Sequence, residues 1–176
     1  MTADESWREV LRALVETVLA FDHPAFPAIE VAEVERRVLE YFPADAATRG
    51  ALMAFDEIGR FSTVDPITRQ AEAEALAADG PCAPGEIGGA VEEKARVEAA
   101  RFEAFVREFG AAHRFAAATL PARRAYLRLW AKSGFAIRRR LYATFKGMVL
   151  IPAYSLPALW RAVGYAGPAG GGDAND

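Results

Sequence analysis

Residues 120–151, LPARRAYLRLWAKSGFAIRRRLYATFKGMVLI, decide the fold class that the sequence predicts. Apolar residues recur along this stretch mostly at steps of three or four, at Tyr126, Leu127, Trp130, Ile137, Leu141, Phe145 and Met148. Such spacing places them on one face of a helix. Pro121 suits the first turn of one helix, Gly134 separates it from the next, and Pro152 ends that second helix. The stretch therefore predicts two consecutive amphipathic helices.

The remainder of the chain shows the same helical spacing of apolar residues. Helical spacing recurs over residues 4–21, 29–42, 45–61, 67–78, 90–113 and 154–163, and no segment shows the sustained alternation of a strand between hairpin turns. A chain of 176 residues, of which 52% are hydrophobic, fits one domain. We predict an all-α, single-domain helical bundle of six to eight helices.

The domain predicted over residues 1–168 has three parts, followed by a tail. Acidic helices occupy 1–80, and a long helix plus basic C-terminal helices occupies 90–168. Between them, residues 81–89 contain two prolines and three glycines, a composition that predicts a flexible loop. The Gly-rich tail at 169–176 is predicted to be disordered.

Charge is distributed unevenly along the chain, although the net charge is only −3. Residues 1–80 carry 16 acidic side chains against 7 arginines. In contrast, ten basic residues and no acidic residue lie between Glu108 and Asp173. Something acidic must face this basic segment, and it is either the first half of the same chain or an external partner.

Signals for chemistry within the chain are weak. His23 and His113 are far apart and lack neighbouring ligands, and Cys82 is the only cysteine, so neither a metal site nor a disulfide is expected. No nucleophile elbow or positioned triad is present. These weak signals lead us to expect that the chain is not an enzyme by itself. Neither a secretion signal nor a membrane span is indicated, so we expect a cytoplasmic protein.

The basic cluster Arg138-Arg139-Arg140 beside Tyr142 could bind nucleic acid, because cations neutralise phosphates. A sequence pI near 5.5 argues against nucleic-acid binding. The apolar segment 141–160, flanked by Arg140 and Arg161, is also compatible with peripheral membrane contact.

An ordered series of motifs spans Arg123 to Pro168. It consists of Arg-Arg-x-x-Leu-x-x-Trp from Arg123, Ser133, Arg-Arg-x-Leu-Tyr-x-x-Phe-Lys from Arg138, Tyr154-Ser155, Trp160 and Gly164-Tyr165-Ala166-Gly167-Pro168. This series resembles the helical region of long-chain alcohol oxidases in the glucose-methanol-choline flavoprotein family. It is also similar to the gluconate 2-dehydrogenase subunit 3 family, a helical small subunit that accompanies a catalytic flavoprotein. Residues 11–19 are similar to the opening of that family.

The resemblance implies a non-catalytic accessory subunit that docks on and stabilises an FAD-dependent alcohol or sugar oxidoreductase. FAD is expected in the partner, because this chain lacks the Gly-x-Gly-x-x-Gly sequence of a dinucleotide-binding fold. The fused enzymes continue beyond Pro168 into that fold, and the twin-arginine signal of secreted small subunits is absent, which implies a cytoplasmic complex. The predicted partner-binding residues are Arg124, Arg128, Trp130, Arg138, Arg139, Tyr154, Trp160 and Tyr165.

Two alternatives stay open. Trp160 and Tyr165 could anchor an interface, or they could fold back onto the core of the chain itself. The chain could instead be a stand-alone helical adaptor that binds an anionic surface, membrane or nucleic acid, through Arg124, Arg128 and the cluster 138–140.

Overall fold

A computed structural model describes residues 3–20, 30–42, 44–78, 83–110 and 113–162. Eight α-helices lie within these residues: α1 (Ala3–Leu19), α2 (Val31–Tyr41), α3 (Ala46–Asp56), α4 (Pro66–Ala78), α5 (Pro84–Phe109), α6 (Leu120–Ala131), α7 (Ala136–Tyr154) and α8 (Pro157–Ala162). A 3-10 helix over Ile58–Ser62 joins α3 to α4. This part of the chain contains no strand, only one isolated bridge between Glu57 and Arg114. The predicted all-α bundle is confirmed.

The loop predicted at residues 81–89 is wrong from Pro84 onward, because α5 begins there. Proline at the first helical position loses no hydrogen bond, and its fixed φ angle suits the helix. The Glu86 carboxylate accepts a hydrogen bond from the Ala83 N–H at 3.1 Å, which satisfies a donor at the helix start. Residues 81 and 82, and the tail at 169–176, lie outside the described residues.

Three helix boundaries also differ from the prediction. Helix α7, predicted to end at Pro152, continues through it to Tyr154. The long helix ends at Phe109, and not near His113, because Gly110 adopts a φ of 80° that other residues rarely adopt. The segment predicted as one helix over 45–61 is divided at Glu57, whose backbone pairs with Arg114. Asp45 caps the start of α3 by accepting from the Thr48 N–H at 2.7 Å, as Asp commonly does.

Helix α1 lies at the centre of the bundle, where it packs against α2, α3, α6 and α7. Four residues on one of its faces, Val10, Leu11, Leu14 and Val15, are almost completely buried. Burying side chains of this size stabilises the fold by about 1.5–3 kcal/mol each. None of the described helices has the length and apolar character to cross a bilayer.

An aromatic cluster around Phe55 joins α3 to the C-terminal helices. The Phe55 ring centroid lies 4.8 Å from that of Phe115, 5.4 Å from Tyr126, 5.3 Å from Trp130 and 5.0 Å from Phe145. The tilted geometries are those that aromatic pairs prefer. One side chain of α3 thus packs against α6, α7 and the segment that precedes α6.

The next residue, Asp56, holds that segment by hydrogen bonds. Its buried carboxylate accepts from Arg114 Nε at 2.6 Å and from the Ala116 N–H at 2.8 Å, while its carbonyl accepts from the Phe115 N–H at 2.8 Å. Hydrogen bonds that involve a charged group are stronger than neutral ones. Asp56 therefore fixes the position of Phe115 beside Phe55.

We predict that Phe55→Ala lowers the free energy of unfolding by about 3–5 kcal/mol, because the cavity left among four rings cannot fully collapse. Urea denaturation measures this change. Ile67→Ala, at an exposed position of α4, is the control and should stay within about 0.5 kcal/mol of the parent protein. A loss of similar size in both variants would contradict the central role of the Phe55 cluster.

Candidate partner-docking surface

Arg138 is the clearest correction to the predicted partner-binding set, because its side chain is buried and only 4% of the residue is exposed. Its Nη1 donates to the Phe61 carbonyl at 3.0 Å and to Glu98 Oε2 at 3.3 Å, and its Nη2 donates to the Thr63 carbonyl at 2.8 Å. The guanidinium also lies 4.4 Å from the Phe61 ring centroid. Burial lowers the pKa of Arg138, and the Glu98 carboxylate opposes that effect. Arg138 therefore stabilises the fold and is not available to a partner.

Two buried carboxylates hold the corner between α6 and α7. Glu98, on α5, accepts from the Gly134 N–H at 2.8 Å, and Glu72, on α4, accepts from the Ala136 N–H at 2.8 Å. Glu72 also forms an ion pair with Lys94. Negative charge is favourable at a helix start, where backbone N–H groups lack partners within the helix. The start of α7 is thereby tied to two other helices.

Arg124 and Trp130 also contact their own chain. The Arg124 guanidinium donates to the carbonyl of Ala20, just beyond the C-terminal end of α1, where a cation is favourable. The half-buried ring of Trp130 packs against Phe55 and lies 5.8 Å from Phe61, centroid to centroid. Both residues are partly buried at the edge of the packed interior, and their assignment to a partner interface stays a prediction.

The remaining described residues of the predicted partner-binding set lie nearer the surface. Arg128 and Arg139 are exposed, and Arg139 Nη1 donates to the Ser133 carbonyl at 2.6 Å. Tyr154 is 43% exposed. Trp160 is half-buried, and its indole N–H donates to the Tyr154 carbonyl, so α8 folds back onto the end of α7. Tyr165 lies outside the described residues.

Four further surface residues were missing from the predicted set: Lys132, Arg140, Lys146 and Ile151. All four are exposed, and Ile151 is 56% exposed. Positions 140, 144, 147, 151 and 154 follow helical steps of three and four, so they form one strip along α7. The charged end of this strip could have been found from the sequence by following the three-four spacing from Arg140.

We define the cationic face as Arg128, Lys132, Arg139, Arg140 and Lys146, together with the exposed apolar residues Ile151 and Tyr154. Among the residues that the structure describes, none of these five cations forms an ion pair. Arg139 is close enough to Glu72 for its charge to act on that carboxylate.

The acidic first half neutralises other basic residues. Arg123 binds Glu16 at 2.9 Å, and Arg114 binds Asp56 at 2.6 Å. In α2, Glu33 and Glu40 pair with the two arginines of the same helix, Arg36 and Arg37. The sequence left open which acidic groups face the basic segment. The first half of the chain pairs with Arg114 and Arg123, but it forms no ion pair with the cationic face in the described structure.

No family model, curated protein or solved structure matches this chain. The fold and this surface define a class, a helical bundle with an exposed cationic and apolar face.

We predict that Arg138→Met lowers the free energy of unfolding by about 3 kcal/mol or more, because the buried Glu98 carboxylate loses its buried cation and keeps only the more exposed Arg101, at 3.3 Å. Arg140→Met, two positions away and exposed, should change it by no more than about 0.5 kcal/mol. Adding Glu98→Gln to Arg138→Met should recover part of the loss, since it removes the buried charge that Arg101 alone balances incompletely. Equal effects of Arg138→Met and Arg140→Met in urea denaturation would contradict the structural role of Arg138.

The pH dependence of stability provides a second test. Burial acts to raise the pKa of Glu72, but hydrogen bonds from Lys94 and the Ala136 N–H, with the charges of Lys94 and Arg139, outweigh it and hold the pKa below its ordinary value of 4.5. The stabilisation is therefore complete above pH 4.5 and is lost as the pH falls through the lowered pKa.

We expect Glu72→Gln to show a smaller decrease in stability than the parent protein when the pH is lowered below 4.5. Urea denaturation over a pH series measures the difference. Glu74→Gln, at an exposed position of the same helix, is the matched control and should retain the parent profile. Identical profiles for the parent protein and Glu72→Gln would contradict the role given to this carboxylate.

Proposed function

We propose that this protein is a non-catalytic accessory subunit of an FAD-dependent, glucose-methanol-choline-type alcohol or sugar oxidoreductase. The observation that carries the proposal is the cationic face, where five cations lack acidic partners in the described structure. The motif series from Arg123 to Pro168 supports the choice of partner. In this proposal FAD and the reacting groups belong to the partner, and the complex is cytoplasmic.

The physics of the cationic face favours a protein partner with an acidic patch. Arg139, Arg140 and Lys146 repel one another, and an acidic surface opposite them would relieve that repulsion. Next along α7, Ile151 and Tyr154 expose apolar area that an interface core would bury. Helix α7 therefore offers both charge for orientation and exposed apolar area for affinity.

The proposal also gives a role to several residues of the partner-binding set that was predicted from the sequence. Arg128, Arg139 and Tyr154 would contact the flavoprotein directly. Arg138 acts indirectly, because its buried contacts hold α7 in place. Trp160 would contribute through α8, which it fastens to the end of α7.

Co-expression with a flavoprotein encoded beside this chain, followed by size-exclusion chromatography, tests the proposal. We expect the two chains to elute together and the flavoprotein to be more stable in the complex. A well-folded, monomeric chain that leaves the flavoprotein unchanged would overturn the proposal.

The triple variant Arg139→Glu/Arg140→Glu/Lys146→Glu should weaken the complex by about tenfold or more, because each substitution replaces attraction by repulsion. Arg107→Glu, at an exposed position of α5 with no ion pair in the described structure, is the matched control and should retain the parent affinity. If both variants weaken the complex equally, the cationic face is not the interface.

A second candidate function is an adaptor that binds anionic membranes, and α7 favours it because Arg140, Ile151 and Tyr154 lie on one exposed strip of that helix. Flotation with phosphatidylcholine vesicles, with and without phosphatidylserine, distinguishes it. Binding that requires phosphatidylserine and is lost at high salt would support the adaptor. The accessory-subunit proposal by itself requires neither type of vesicle to bind the chain, whereas the adaptor requires the vesicles with phosphatidylserine to do so.

A further inference from the structure

A mostly apolar cavity lies beside the aromatic cluster around Phe55. Its volume is about 200 Å³, and it is enclosed by α3, the 3-10 helix, the start of α4, α6 and α7. Three rings line it, those of Phe55, Trp130 and Phe145, together with the aliphatic side chains of Ile137 and Leu141. An apolar cavity of about 150 Å³ is large enough for benzene. This cavity can therefore hold one six-membered ring with a few further atoms.

The size of the cavity distinguishes it from ordinary packing voids. Native interiors contain few voids larger than a water molecule, because side chains at a void lose dispersion contacts. Water gains little at an apolar wall, since a buried water needs about two to four polar partners. An apolar molecule restores the dispersion contacts without losing hydrogen bonds, so the cavity favours an apolar occupant.

Two alanines of α3 leave the room for such an occupant. Ala51 and Ala54 lie one turn apart on the same face of the helix, and both line the cavity. A larger aliphatic side chain at either position would fill the space that these two methyl groups leave open.

The two cations of the cavity wall are already balanced. Arg60 forms an ion pair with Glu57, and Arg138 forms one with Glu98 at 3.3 Å. Asp65 also lines the cavity and is close enough to Arg138 for its charge to act on that guanidinium. A cationic ligand would meet the two guanidinium groups, and an anionic ligand would meet the Asp65 carboxylate. The wall therefore favours a neutral ligand.

Asp65 forms the polar end of the cavity. Its exposed carboxylate accepts from the Thr68 N–H at 2.9 Å and from the Thr68 hydroxyl at 2.7 Å. A carboxylate has about four acceptor positions, so Asp65 can accept from a further donor. A hydroxyl group supplies such a donor without adding charge.

We propose that this cavity binds a small neutral molecule that consists of one aromatic ring and a hydroxyl group. The ring packs against Phe55, Trp130 and Phe145 in the tilted or offset arrangements that aromatic pairs prefer. The hydroxyl group donates to Asp65. This site is independent of the docking function proposed above.

Titration of the full chain with benzyl alcohol tests the site, with benzoate and benzylamine as charged probes that carry the same ring. The indole N–H signal of Trp130 in NMR spectra reports binding, and the signals of Trp7 and Trp160, which do not line the cavity, are internal references. We expect a saturable shift of the Trp130 signal with benzyl alcohol and dissociation constants about tenfold higher or more for the charged probes. The absence of a saturable shift with benzyl alcohol, or a charged probe that binds equally well or better, would overturn the proposal.

Toluene tests the hydroxyl group, because it has the same ring and no donor. It should bind about tenfold more weakly than benzyl alcohol, since the hydrogen bond to a charged acceptor is lost. Equal or tighter binding of toluene would overturn the role given to Asp65.

Ala54→Leu is the informative variant, because the larger side chain fills the cavity. It should weaken the binding of benzyl alcohol by about tenfold or more and leave the chain folded. Ala47→Leu, at an exposed position of α3 outside the cavity, is the matched control and should retain the parent affinity. Ala51→Leu repeats the test in case Ala54→Leu impairs folding. Unchanged affinity in the cavity-filling variants, or equal weakening in Ala47→Leu, would contradict the site.

Discussion

The binding of two buried carboxylates to the start of α7 is the constraint on which the rest of the structure depends. Glu72 and Glu98 come from α4 and α5, yet they accept hydrogen bonds from backbone groups of the same short connection. Burying a carboxylate is costly unless its oxygens are satisfied and its charge is balanced. Lys94, Arg101 and Arg138 provide that balance, so α4, α5 and the start of α7 meet at one corner with fixed geometry.

That corner determines which side chains reach the surface. Successive residues of a helix point about 100° apart, so only one of three consecutive arginines can enter the interior. Because Arg138 turns inward to Glu98, Arg139 and Arg140 turn outward, where neither forms an ion pair with a described acidic side chain. The exposed positive charge is thus a consequence of the internal ion pair. Surface and interior are coupled through the rotation of α7 about its axis.

The helices could be predicted from the sequence because apolar spacing is a local property, but several details could not. Three glycines within six residues predicted a loop, whereas Pro84 and Glu86 supply the signals that start a helix. The direction of Arg138 could not be predicted, since its partner Glu98 lies 40 positions earlier. The resemblance to flavoprotein small subunits drew most of the predicted partner-binding residues from the C-terminal helices, but only the fold separates the surface residues of these helices from the interior ones.

The glycines at the start of α5 have a consequence for how this helix opens. Gly85, Gly88 and Gly89 have no heavy atom of another element within 4 Å of where a Cβ would stand, so no packing compensates for their backbone entropy. Each costs a helix about 1 kcal/mol relative to alanine. Farther along, Phe105 is buried in the core. Amide protons in the first two turns should therefore exchange with solvent by local fraying, while those near Phe105 exchange only when the whole bundle unfolds.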